Sequence, residues 1–212
     1  MSSTTMDDLD FVVHSMATTA VDNEKAFGDL DAAAGDGDLG YSLARGFEQV
    51  LAEWDDYDRS DPTTFLQRVA RTITSKIGGT SGPIWGTAFL RAAKAIEGTE
   101  EIDGAAVVAM LRAAVAGIQD RGGAEVGDKT LIDAVVPATD ALESALDTGI
   151  SGADGASTFA SEARSAADGT SELQARRGRA SYTGERSIGS PDAGAVVVAV
   201  MAEDLTSRWA ER

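Results

Sequence analysis

Apolar residues recur every three or four positions along almost the whole chain, the spacing that gives a helix one buried face. Phe65, Val69, Ile73 and Ile77 form one such stripe, and Val107, Leu111, Val115 and Ile118 form another. Ile132, Val135, Val136, Leu142 and Leu146 make a looser third. The punctuation agrees. Asp61-Pro62 offers an N-cap and a first-turn proline to one segment, and Ser190-Pro191 offers the same to the last. These signals predict helices over 7–23, 40–54, 61–77, 82–97, 103–120, 129–148, 153–174 and 191–210. The one strand-like run, Val196 to Met201, is rich in β-branched residues. It lies inside an alanine-rich segment ending at Trp209, so it reads as a buried helix. No repeat of fixed period and no long linker interrupt the pattern, and the Gly/Ser/Asp-rich stretch 147–157 is a loop. The expected fold is all-α, a single domain over 1–212 with about eight helices.

Composition removes several function classes. The 212 residues include no cysteine, which excludes a disulfide scaffold, a thiolate zinc site and a cysteine nucleophile. Acids outnumber bases 35 to 18, a net charge of −17 that opposes binding to nucleic acid or to an anionic membrane. No run approaches the ~20 apolar residues of a membrane span, and the acidic N-terminus lacks the basic region of a signal peptide. The expectation is a soluble, cytoplasmic protein. Four lysines against fourteen arginines, with aspartate the dominant acid, suit a halophilic protein kept soluble in concentrated salt; an ordinary acidic protein is the alternative.

Glycine is concentrated in four junctions: 35–40, 78–82, 122–130 and 178–186. They fall after alternate helices, so an up-and-down bundle places all four at one end, where a rigid scaffold would carry a site. The first, Gly35-Asp36-Gly37-Asp38-Leu39-Gly40, matches a dinucleotide fingerprint by regex alone, but no strand precedes it and two aspartates would face the pyrophosphate. An EF-hand starting at Asp36 would put Tyr41 where glycine is needed and Phe47 where an acid is needed. A solvated acidic turn and a Mg²⁺ site built from Asp31, Asp36 and Asp38 both remain open. The second junction, Gly78-Gly79-Thr80-Ser81-Gly82-Pro83, leads straight into a helix. Free amides and two hydroxyls there suit phosphate, or form a flexible turn with a Ser/Thr N-cap. Gly127-Asp128-Lys129-Thr130 resembles the tail of a P-loop, but aspartate replaces the glycine and no strand precedes it. The only histidine, His14, is followed by Ser15, so a protein-kinase catalytic loop is absent. Arg176, Arg177 and Arg179 are the one basic cluster, available to phosphates or to surface acids.

Taken together and in this order, the four segments resemble the nucleotide-binding L subunit of dihydroxyacetone kinase, and equally the C-terminal domain of the single-chain ATP-dependent enzyme. The most specific stretch is Gly178-Arg179-Ala180-Ser181-Tyr182-Thr183-Gly184-Glu185-Arg186-Ser187-Ile188-Gly189. The resemblance implies a barrel of eight antiparallel helices with ADP or ATP across one end. It implies that Asp31, Asp36 and Asp38 hold two Mg²⁺ ions, that Thr80 and Ser81 contact phosphates, and that Leu39, Gly40 and Ser42 close the acidic loop. Gly122 and Leu131 would border the adenine, Arg179 would sit by the diphosphate, and Asp192, Ala193 and Gly194 would close the far side. Two positions depart from the family pattern: Leu39 replaces a histidine, leaving only a backbone amide as phosphate donor, and Ala193 replaces a proline.

The implied function is phosphoryl transfer to dihydroxyacetone, with no side chain of this chain acting as a catalytic nucleophile or base. A ketone-binding K subunit would hold the acceptor, and a phosphohistidine on an M subunit would recharge bound ADP. An ATP-exchanging enzyme acting on dihydroxyacetone or another small hydroxy-ketone, and a non-catalytic nucleotide-binding regulatory subunit, are the alternatives. Transfer between subunits demands an interface at the glycine-rich end, so Trp85 and Tyr182 are expected at or close to its rim, with burial in the core as the alternative for both.

Overall fold

The computed structural model describes residues 5–99 and 101–212, and among them there is no strand. The helices are α1 (Met6–Asp22), α2 (Glu24–Asp31), α3 (Leu39–Ala52), α4 (Pro62–Lys76), α5 (Ser81–Ala95), α6 (Gly104–Gly122), α7 (Ile132–Asp147), α8 (Gly152–Gly169) and α9 (Ala193–Ala210). Eight of them close a ring. α1 packs on α3, each helix from α3 to α8 packs on its successor, and α9 returns to α1. The ninth, α2, lies against α3 and α9. None of the described helices is long and apolar enough to cross a membrane.

Local chemistry sets most of the ends. The Asp61 carboxylate accepts from the Thr64 amide at 2.7 Å with Pro62 in the first turn, as the sequence predicts. Asp103 and Ser151 cap α6 and α8 in the same way. Three boundaries differ from expectation. α7 starts at Ile132, not 129, because Gly127 (φ 95°) and Lys129 (φ 62°) are left-handed and cannot continue a helix. α8 stops at Gly169 and passes into a 3₁₀ turn, Thr170–Glu172. The last helix is capped by Asp192, whose carboxylate accepts from the Ala195 amide at 2.8 Å, so Ser190-Pro191 lies outside it. The helix not expected, α2, holds one fully buried residue, Phe27, and is too short to show a period.

One core fills the ring, with Phe27, Leu43, Phe47, Phe65, Ile73 and Val197 essentially inaccessible to solvent. Each such side chain contributes about 1.5–3 kcal/mol by leaving water. The β-branched run of α9 is helical, and Ala195 to Ala199 are all buried, which is why it shows no polar stripe. His14 is an exposed α1 residue lying edge-on to Trp54. A satellite cluster of Ile84, Ile118, Ala124 and Ile132 lies beneath the glycine-rich end.

The crossing of α2 and α3 is held close by Gly40. A Cβ there would stand 2.0 Å from the Glu24 carbonyl oxygen and 2.5 Å from the Gly28 nitrogen, both backbone atoms that cannot step aside. Gly40 is therefore a packing residue of this crossing, at the point where the acidic loop enters α3. Gly40→Ala should cost about 1–3 kcal/mol of overpacking, or more, in a urea titration. An unchanged midpoint would mean that α2 does not sit where the structure puts it.

Candidate functional site

The α2–α3, α4–α5, α6–α7 and α8–α9 connections meet at one end of the ring. Arg179 joins the first to the fourth through Asp36 and Asp38. A Cβ on Gly79 would lie 3.9 Å from the Arg179 guanidinium, and one on Gly123 would lie 3.9 Å from that of Arg177. The gathering of the glycine-rich junctions is as the helix count requires.

Asp31 ends α2, and its carboxylate accepts from the amides of Gly37 at 2.8 Å and Leu39 at 3.4 Å. The loop wraps tightly because Gly35 has no side chain, a Cβ there meeting the Asp31 carboxylate at 2.3 Å, and because Gly37 is left-handed at φ 78°. Burial pushes the Asp31 carboxyl above its ordinary value. The two amides pull it back, and the charges of Asp36 and Asp38 push it up again. Carboxylate oxygens of Asp31, Asp36 and Asp38 all lie within 4.8 Å of one another, the one such group among the described residues. An all-oxygen carboxylate set of this kind suits a hard divalent cation such as Mg²⁺. The Arg179 guanidinium already spans Asp36 at 2.9 Å and Asp38 at 2.7 Å, so positive charge is accommodated at this point.

The α4–α5 turn faces the same space. Thr80 is the N-cap of α5 but makes no side-chain capping bond, so the simple Ser/Thr-cap reading of this junction does not hold. Thr80 is exposed and Ser81 half-buried, beside first-turn amides that carry the positive end of the helix dipole. Ser42 lies half-buried in the first turn of α3. Leu39, at the family's histidine position, is half-buried with its side chain against the main core, so an apolar anchor stands there. Farther along, Leu131 packs on the satellite cluster, 3.4 Å from where a Cβ on Gly194 would be. Gly122 is exposed over Ile84 of that cluster. Gly122, Leu131 and Gly194 thus border one apolar patch, with Ala193 half-buried at the start of α9.

Of the three clustered arginines, only Arg179 reaches the acidic loop. Arg177 pairs with Asp128 at 2.9 Å, and Arg176 stands 4.0 Å from the same carboxylate. Trp85 is a correction: it is 7% exposed, turned inward by α5 and edge-on to Phe47 at 6.3 Å, so it is core and not rim. Tyr182 is on the rim at 89% exposure, joined at this end by Tyr41, Val126 and Ile188. Sequence reasoning missed the polar residues beneath the site. Asp133 accepts from the amides of Gly127 and Thr130 at 2.5 and 2.7 Å, and Lys129 is buried among backbone carbonyls. Their only sequence signal is charge next to an apolar run.

Burial pushes the Asp192 carboxyl up to about 6, against the opposing bond from the Ala195 amide; the Asp133 charge adds to the rise and that of Lys129 offsets it. From about pH 4 to 6 the folded protein therefore keeps a proton that the unfolded chain has lost, and this residue makes stability fall as pH rises through that window. Asp192→Asn keeps a capping side chain but removes the titration. Its stability relative to wild type should rise by up to about 3 kcal/mol between pH 4 and 7, read from denaturant titrations at each pH. Parallel profiles would refute the shift.

Comparison with known proteins agrees with this geometry. The chain is 39% identical over 176 residues to the ADP-binding subunit of the PEP-dependent dihydroxyacetone kinase of Escherichia coli, covering 83% of this chain and 84% of that one. It is 37% identical over 182 residues to the ADP-binding subunit of PEP-dependent dihydroxyacetone kinase 1 of Listeria innocua, covering 85% of each. An L-erythrulose 1-kinase of Mycolicibacterium smegmatis is 38% identical over 92% of this chain, which spans 34% of that longer protein. These relatives give the high-salt reading no support. The fold matches the crystal structure of the dihydroxyacetone kinase from C. freundii in complex with AMP-PNP and Mg²⁺, at a TM-score of 0.78 and 22% identity over 98% of this chain and 35% of that one. Residues 33–207 match the DAK2 domain, and the chain belongs to that family.

Proposed function

We propose that this chain is the nucleotide-binding subunit of a dihydroxyacetone kinase supplied with phosphoryl groups from phosphoenolpyruvate. In that role it binds ADP or ATP with two Mg²⁺ ions across the glycine-rich end and serves transfer to dihydroxyacetone on a separate K subunit. The observation that carries this reading is the placement of Asp31, Asp36 and Asp38, with Arg179 between them and Gly79, at the N-terminus of α5. The ADP-binding subunits named above are matched over 84–85% of their own length.

Each element has a physical task. The three carboxylates repel one another, and bound Mg²⁺ would relieve that repulsion while neutralising nucleotide phosphates. Asp31 is held by two amides, so its oxygen is oriented before any ligand arrives. Arg179 supplies a planar guanidinium suited to phosphate oxygens. Thr80, Ser81 and the α5 amides add neutral donors, and Leu39, Gly40 and Ser42 line the opposite wall. The patch bordered by Gly122, Leu131 and Gly194 accepts the adenine, and Asp192 and Ala193 close that side. The chain needs no nucleophile or base, because transfer of this kind depends on alignment and charge stabilisation.

Transfer between chains requires donor and acceptor atoms about 3–3.5 Å apart, so the loop end must be an interface. Tyr41, Val126, Tyr182 and Ile188 give that end exposed apolar surface for the K subunit, and the M subunit must reach the same phosphates. The erythrulose kinase relative favours a second reading, in which the acceptor is a four-carbon hydroxy-ketone.

ADP with Mg²⁺ should raise the melting temperature, and a chelator should abolish the rise, since a ligand at 100 times its Kd stabilises by about 2.7 kcal/mol. Asp36→Asn and Asp38→Asn should each remove the effect while the helical circular dichroism stays unchanged. Equal melting temperatures with and without chelator would count against the site. On adding a matching K subunit, hydrogen exchange should slow in residues 36–42, 78–86 and 178–194; protection confined to the other end would rule out transfer between subunits.

A further inference from the structure

The hydrogen bonds of the Lys129 ammonium do not go to the acidic loop, yet its conformation is costly in two respects. Among the described residues it is the one non-glycine residue with a left-handed backbone, at φ 62°, and it is only 2% exposed. A buried ammonium is tolerated when its donors are all used. Here they are: Nζ donates to the carbonyl of Leu173 at 3.1 Å, to that of Ser190 at 2.6 Å, and to that of Ser187. The three acceptors belong to one segment, the connection between α8 and α9.

That segment holds little regular structure. Between Leu173 and Ser190 its regular structure is a 3₁₀ stretch over Arg179–Ser187, kinked at Gly184. Fixing each residue of such a loop costs about 1–2 kcal/mol of backbone entropy. Lys129 grips it at Leu173 before the stretch, at Ser187 where it ends and at Ser190 after it. Asp128 reinforces the first side, its carbonyl accepting from the Arg176 amide at 3.0 Å and its carboxylate from Arg177. The Ser187 hydroxyl ties the two sides together, accepting from the Ala175 amide at 2.9 Å and donating to the Gly184 carbonyl at 2.6 Å. Arg179 leads the stretch so pinned and reaches Asp36 and Asp38.

We propose that Lys129 is a positioning residue whose ammonium, by gathering three carbonyls of the 173–190 segment, holds the Arg179 guanidinium beside the acidic loop, within reach of a phosphate bound there. Lysine suits this task because three carbonyls converge on one point, which a compact ammonium satisfies and a flat guanidinium does not. The phosphate in this statement rests on the nucleotide reading given above; the tie itself does not.

The test is a double-mutant cycle on ADP affinity, measured calorimetrically with Mg²⁺, for wild type, Lys129→Met, Arg179→Ala and the double variant. Methionine keeps the length of the side chain and removes the three donors. Arg179→Ala should weaken binding roughly ten- to a hundredfold, the range of a charge-assisted hydrogen bond. Lys129→Met should weaken it comparably, and the double variant should bind no worse than Arg179→Ala alone. In nucleotide-free protein, amides of 173–190 should exchange faster in Lys129→Met and not in Arg179→Ala. Additive losses, or wild-type affinity and exchange in Lys129→Met, would overturn the proposal. If Lys129→Met does not fold, Asp128→Asn, which weakens the grip through Arg177, takes its place in the cycle with the same criteria. A wild-type protein that fails to bind ADP would sink the nucleotide reading, and with it the phosphate half of the proposal; the exchange comparison would then decide the tie alone.

Discussion

Closure of the helix ring at the α1–α9 seam is the constraint on which the rest of the molecule depends. Phe11 meets Trp209 edge-to-face at 5.3 Å, the Thr19 hydroxyl donates to Asp204 at 3.0 Å, and Arg212 pairs with Asp8 at 2.5 Å. The first two of these contacts bury surface between helices nearly 200 residues apart in sequence, and the ion pair adds little by itself because it is partly solvated. The up-and-down order of the helices puts alternate connections at one end, and closing the seam brings the last of them round to the first. The α8–α9 connection then lies beside the α2–α3 loop, and Arg179 can reach across 143 positions to Asp36.

The loop end also has to manage its own charge in a protein of net −17. Two layers do so differently. At the surface, half-exposed Asp36 and Asp38 share one guanidinium in contact with water, a pairing weak enough to be exchanged for other partners. Beneath it, Lys129 spends its donors on carbonyls, and Asp133 accepts two amides, so neither depends on a mobile counter-ion. The lower layer fixes the backbone and the upper one stays responsive. That division suits a site whose ligand is itself strongly charged.

Much of this was legible in the sequence, and the exceptions have physical causes. The eight ring helices follow from apolar stripes and caps because those signals are local. α2 escaped because a helix of two turns with one buried phenylalanine has no period to detect. The acidic loop and the Gly-Gly-Thr-Ser turn were legible because their residues are contiguous. Their proximity to Arg179 was not, since it is set by ring closure. Trp85 was misplaced because its nearness to a motif loop says nothing about which way the first turns of α5 face. Lys129 could be excluded as a P-loop lysine, but its actual partners are main-chain carbonyls, which have no signature in the identity of Leu173, Ser187 or Ser190.

The ring has a further consequence for how the chain reaches its final state. From α3 to α8, each helix packs on the next one along through a connection of about a dozen residues or fewer, so most of the structure can form at small entropic cost. The seam between α1 and α9 and the meeting of Arg179 with the acidic loop are the long-range events, and both wait for the whole chain. On contact-order grounds the loop end is expected to be completed late in folding. Until then its three carboxylates face one another without their arginine, so a partly folded chain has the acidic loop but not yet the site.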